Sequence, residues 1–126
     1  MTDTTDLLDE IADTIYDYWY DSIYKGKYLG SIDYALIRAS DVNKSKNAKV
    51  MENNEKLANA VSELNNSNYK KIHRDTFDAI MDAYDSYKEY YEFTINVSGS
   101  FKTYSEDKEN KKKEVRSYLS KLERKL

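Results

Sequence analysis

Proline is absent from all 126 residues, and glycine occurs only at Gly26, Gly30 and Gly99. These two residue types break helices and set most tight turns, so their scarcity favours a few long helices over a loop-rich or sheet-rich fold. The glycines also mark the candidate turns. Two fall in KGKYLGS, residues 25–31, and the third in VSGS, residues 97–100.

Hydrophobic spacing agrees with that reading. Leu7, Leu8, Ile11, Ile15, Tyr18, Trp19 and Ile23 recur at helical intervals and predict a first helix over residues 4–25. Ser31 is placed to cap a short helix over 32–39, which carries Ile32, Leu36 and Ala39. A second long helix is expected over 41–66, with Val50, Met51, Leu57, Val61 and Leu64 inward; its many asparagines are poor helix formers and favour frayed ends. The next helix spans 73–91, with Phe77, Ile80, Met81, Tyr84, Tyr87 and Tyr91 as its apolar stripe and Tyr90 outside it.

Beyond residue 92 the period changes to two. Phe93, Ile95, Val97 and Phe101 share one parity, and Thr94, Asn96, Ser98 and Ser100 the other, which predicts a short β-strand or hairpin at 93–104. The last helix then starts at Ser105 as N-cap, with acidic residues in its first turns and basic ones at its end, as the helix dipole prefers. Its apolar stripe (Val115, Tyr118, Leu119, Leu122, Leu126) occupies only the second half, so EDKENKKKE at 106–114 is expected to be solvated. The expected fold is mainly α: a single domain over 1–126, with four to five helices and one small β element.

Composition limits function mostly by exclusion. With no cysteine there is no disulfide, thiolate nucleophile or cysteine metal site. The only histidine, His73, sits between Lys71 and Arg74 and has no companion to make a zinc site or a catalytic base. Glycine-rich phosphate loops and calcium-loop spacings are missing too. Ser-x-x-Lys begins at Ser22, Ser67 and Ser105, but none has the further motifs that give the pattern meaning. The expectation is a non-enzyme without metal or cofactor. No apolar run approaches membrane-spanning length, and the opening MTDTTDLLDE is acidic, unlike an export signal. A cytoplasmic location is expected, in a host cell if the chain is phage-encoded, and no membrane partner.

Leu, Ile, Val and Phe together make up about a fifth of the chain, near the lower limit for a folded domain. Several of the 13 tyrosines must therefore complete the core, with their hydroxyls at its edge. So thin a core also admits a homodimer.

The charge pattern is the positive signal. In DTFDAIMDAYDSYKEYYE, residues 75–92, carboxylates recur at Asp75, Asp78, Asp82, Asp85, Glu89 and Glu92, the spacing of one helix face. Opposite charges at such spacings gain about 0.2–0.5 kcal/mol per pair and like charges lose as much. The first helix repeats the pattern with Asp6, Asp9, Glu10, Asp13, Asp17 and Asp21, and no basic residue precedes Lys25. With Asp3, the two stretches hold thirteen of the 23 acidic side chains, seven from Asp3 to Asp21 and six from Asp75 to Glu92. If their helices pack antiparallel by their apolar sides, the acidic faces can join into one broad surface. Tyr16, Tyr20 and Tyr24 form a row along its flank, offering contact area with few rotors to freeze.

A groove lined by Lys and Arg would attract such a surface. In charge, size and composition the chain resembles the small acidic helical inhibitors of nucleic-acid enzymes among phage anti-restriction and anti-CRISPR proteins. The resemblance implies a nucleic-acid mimic that binds a basic protein surface, most simply that of a nucleic-acid-binding enzyme. Asp75, Asp78, Asp82, Asp85, Glu89 and Glu92 would make the contacts, Asp9, Asp13, Asp17 and Asp21 would extend them, and Tyr16, Tyr20 and Tyr24 would anchor them. Two alternatives stay open. One is a self-associating structural, assembly or immunity protein. The other is direct nucleic-acid binding through the last 25 residues, where nine basic side chains, including Lys111, Lys112 and Lys113, outnumber five acidic ones.

Overall fold

The computed structural model describes all 126 residues, Met1–Leu126, as six α-helices without a β-strand. They are α1 (Thr2–Tyr24), α2 (Ile32–Val42), α3 (Lys44–Asn65), α4 (Tyr69–Ile72), α5 (Arg74–Ile95) and α6 (Phe101–Glu123). A 3-10 turn at Tyr28–Gly30 links α1 to α2.

Helix directions follow from cross-contacts. Asn43 and Asn53 reach Ile11 and Thr4, so α3 runs back along α1. The Tyr90 hydroxyl meets Asp9, and Thr94 and Ile95 share a cleft with Ile11 and Ile15, so α5 runs in the same direction as α1. Tyr104 meets Ala12 while Arg116 meets Asp6, so α6 is antiparallel to α1 and packs against α1 and α5 together. The condition for joining the two acidic faces, antiparallel packing of α1 with α5, is therefore not met. Among the long helices only α3 lies between them in sequence, and up–down alternation returns α5 to the direction of α1.

Local chemistry explains most boundaries. Ser31 caps α2 through a bond from the Tyr34 N–H, as expected. Asn43, buried between α2 and α3, donates to the Ile11 carbonyl and ties that junction to α1. Tyr28, Leu29 and Gly30 all have left-handed φ near +60°, and Leu29 is 93% exposed at the tip of this turn.

The β element at 93–104 is not present. α5 continues to Ile95, and α6 begins at Phe101, one turn before Ser105. The turn between them places Gly99 at φ +78°, and Ser100, not Ser105, is the N-cap, accepting from the Thr103 N–H at 3.1 Å. Phe93 and Phe101 also fit helical faces: Phe93 stacks on Tyr104 at 5.0 Å, and Phe101 joins Trp19 at 5.6 Å. A lone strand in this chain would lack ladder partners, whereas helices satisfy their own backbone groups.

Tyrosine completes the core. Leu8, Ile11, Ala12, Ile15 and Trp19 of α1 meet Tyr87 and Tyr90 of α5 and Tyr104, Val115 and Leu119 of α6. Tyr90 was expected outside the apolar stripe, yet it is fully buried. The reason is rotation. Of the expected stripe α5 buries Phe77 and Tyr87, but it also buries Ala79, Ala83, Ser86 and Tyr90, whose small members admit α6 closely, while Ile80, Met81, Tyr84 and Tyr91 are only half-buried. The buried face thus lies about one residue, roughly 100°, from the stripe that hydrophobicity alone picks out. α3 fully buries only Val50 and lies more loosely on the bundle.

Candidate protein-binding surface

The two acidic faces meet different fates. On α1, Asp6, Asp9 and Asp13 turn towards α6, where Lys108, Lys112 and Arg116 recur every fourth residue. Arg116 bridges Asp6 and Asp9, with 2.6 Å to each, and Asp13 takes bonds from Lys108 at 2.8 Å and Lys112 at 2.6 Å. The first half of α6 is therefore not simply solvated: Lys108 is buried, its stem packed in the seam and its ammonium 4.6 Å from the Tyr16 ring centre. At the far end, Asp21 faces Lys25 and Lys27 at 3.5 and 3.6 Å, while Asp17 is exposed and makes no ion pair.

These pairings shift protonation. Burial pushes the Asp13 carboxyl up, but bonds and charge from Lys108 and Lys112 hold it below its ordinary value. Burial pushes Lys108 and Arg116 down, and their carboxylates more than reverse this. The Tyr90 hydroxyl donates to Asp9 at 2.7 Å; burial first, and that carboxylate second, push its pKa far up.

On α5 the acids stay open. Asp75, Asp78, Asp82, Asp85, Glu89 and Glu92 are all exposed, along about 26 Å of helix. Asp78 meets Arg74 at 3.4 Å, and Asp85 and Glu89 meet Lys88 and Lys111, each at 3.5 Å. Asp75, Asp82 and Glu92 have no ion-pair partner. Lys121 and Lys125 line a shallow cleft beside Asp75, Asp78 and Asp82 without closing to ion-pair distance. This row is the exposed acidic rail of the molecule, and Asp9 and Asp13 do not adjoin it as free charges.

Tyr16, Tyr20 and Tyr24 do form a row. Successive ring centres are 6.1 and 4.7 Å apart, and Phe101 packs against all three. Tyr16 is half-buried under Lys108, whereas Tyr20 and Tyr24 are exposed. Sequence reasoning missed Lys108, Lys112 and Arg116 as partners of the first acidic face; their four-residue spacing was the available signal. No three Asp, Glu or His side chains converge as metal ligands, and no helix is long and apolar enough to cross a membrane. Compared with known proteins, the chain matches no family model, no curated protein and no solved structure.

Proposed function

We propose that this protein is a non-catalytic inhibitor that lays the α5 rail against a basic, nucleic-acid-binding surface of another protein. The contrast between its acidic faces carries the reading. α6 neutralises the α1 face with Lys108, Lys112 and Arg116, yet only Lys111 reaches across to the α5 row. Six like charges on an exposed helix face, offset within α5 only by Arg74 at Asp78 and Lys88 at Asp85, weaken that helix, which is what a surface kept for an outside cation would accept. Carboxylates spaced about 5 Å along the axis offer such a partner a line of charge similar to phosphates. Tyr20 and Tyr24 add exposed aromatic area at one end of α1. Phage anti-restriction and anti-CRISPR inhibitors provide the analogy, through charge, size and composition.

Direct nucleic-acid binding by α6 is less favoured, because three of its basic side chains are turned inward onto α1. Self-association draws support from exposed apolar groups such as Leu29 and Ile37, which are 93% and 59% exposed.

The test is a tagged pull-down from host lysate at low and high salt, beside a variant carrying Asp78→Asn, Asp82→Asn, Asp85→Asn and Glu89→Gln. The proposal expects a nucleic-acid-binding protein that is captured at low salt and lost with either high salt or the variant. The same partner for both proteins, or only the protein itself, would mean that the rail merely solubilises.

A further inference from the structure

We infer that the groove between α3 and α5 is an arginine-binding slot, which anchors a guanidinium from the basic partner beside the rail. The inference rests on the proposed basic partner and adds where that partner is gripped.

The groove encloses about 350 Å³, within the usual range for sites that take a small group. It exists because α3 stands off from α5: where the helices face each other, α3 offers Asn54, Glu55 and the small Ala58. Tyr84, Tyr87 and Tyr91 line the α5 side. Tyr87 is buried, with its hydroxyl donating to Asn54, which ties the two walls together. Tyr84 and Tyr91 are half-buried and so remain accessible.

Carboxylates stand on both walls, Glu55 on α3 and Glu92 on α5. Both are exposed, and neither has a cation within ion-pair distance. Aromatic faces flanked by carboxylates are the chemistry of cation capture. One cation already samples it: the Lys88 ammonium lies 4.7 Å over the Tyr84 ring while meeting Asp85 at 3.5 Å. Lys88 is half-exposed and itself lines the groove, so it shows what the ring attracts, and a guanidinium entering the slot takes the place of its ammonium over Tyr84.

Arginine fits better than lysine. Its planar guanidinium stacks on an aromatic ring and still presents a fork of donors to carboxylates. Glu92 belongs to both the rail and the groove, so a basic segment lying along α5 can place one side chain in the slot without leaving the row.

The test uses the intact protein with tyrosine-labelled rings, followed by NMR during titration with a capped hexa-arginine peptide, and with hexa-citrulline as the uncharged control. The slot requires saturable shifts at Tyr84, Tyr87 and Tyr91 with arginine and none with citrulline. Ala58→Phe should fill the groove, abolish those shifts and weaken binding about tenfold. Glu55→Gln changes only an exposed side chain off the rail and should also reduce affinity, which guards against misfolding of the first variant. If hexa-arginine binds while the three rings stay still and both variants bind as wild type, the slot is wrong and the rail reading stands. Failure of hexa-arginine to bind at all would remove both.

Discussion

Lys108 and Asp13 are 95 residues apart in the chain and 2.8 Å apart in the fold. Lys108 is buried, whereas the Asp13 side chain is 48% exposed and also holds Lys112. The two ends of this pair are therefore not equivalent. Asp13→Asn leaves a buried ammonium with only Glu109 and should cost about 1–2 kcal/mol, reduced from the fully buried case by solvent at Asp13. Lys108→Met removes the buried charge and keeps the stem's packing, and should change stability by less than about 1 kcal/mol. Urea unfolding of the two variants checks the asymmetry; equal losses would refute it.

Stability should fall at both extremes of pH, for different groups. The Asp13 carboxyl is depressed below its ordinary 3.8, so its contribution is complete above that value and disappears as pH falls through the lower folded value. Tyr87, Tyr90 and Tyr104 are raised above 10.0, chiefly by burial, so the stability they confer is complete below pH 10.0 and is lost as pH rises towards their folded values. Tyrosinate absorbance should show a first rise from exposed rings and a later one that coincides with loss of helical circular dichroism. A single early transition from all 13 tyrosines would contradict their burial.

Ser100 should matter to α6 and Ser105 should not. Removing the cap with Ser100→Ala is expected to lower stability by about 1 kcal/mol. Gly99→Ala should lower it by about 1–2 kcal/mol through left-handed backbone strain alone, since an added Cβ would meet Thr103 only at an ordinary 3.8 Å. Ser105→Ala should stay within about 0.5 kcal/mol of wild type. The reverse order in thermal melts would restore Ser105 as the helix start.

Neutralising the rail should strengthen the fold. Asp75→Asn, Asp82→Asn and Glu92→Gln together remove like-charge neighbours that have no ion-pair partner, and after the loss of the favourable charge of Asp75 in the first turn of α5 should gain about 0.5 kcal/mol at low salt. High salt should erase the gain. The same triple change should weaken binding to a basic partner, so stability and affinity move in opposite directions. A triple variant that is less stable at low salt would show that these charges support the helix.

Legibility from sequence followed the range of the interaction. α1, α2, α3 and the body of α5 were readable because their periodicity and the Ser31 cap are local signals. The stretch 93–104 was misread because Phe93, Ile95, Val97 and Phe101 satisfy both a two-residue period and two helix ends, and only packing on Tyr104 and Trp19 decides between them. Tyr90 escaped notice because small residues beside it, not hydrophobic ones, set the buried face of α5. Lys108 was unreadable for a further reason: a lysine stem can be core while its head is charged. The rail itself was plain in the spacing. Its isolation from the α1 face depends on contacts that span most of the chain.

Those spanning contacts also order events during synthesis. Asp6 and Arg116 are 110 residues apart. At translation rates of about 5–20 residues per second, α1 must wait on the order of 5–20 s for its counter-charge to be made. Until then the growing chain displays an unneutralised acidic N-terminal helix as well as the α5 row, and the bundle cannot lock from its beginning. α6 acts as the latch, and the bundle closes only once that helix has been made.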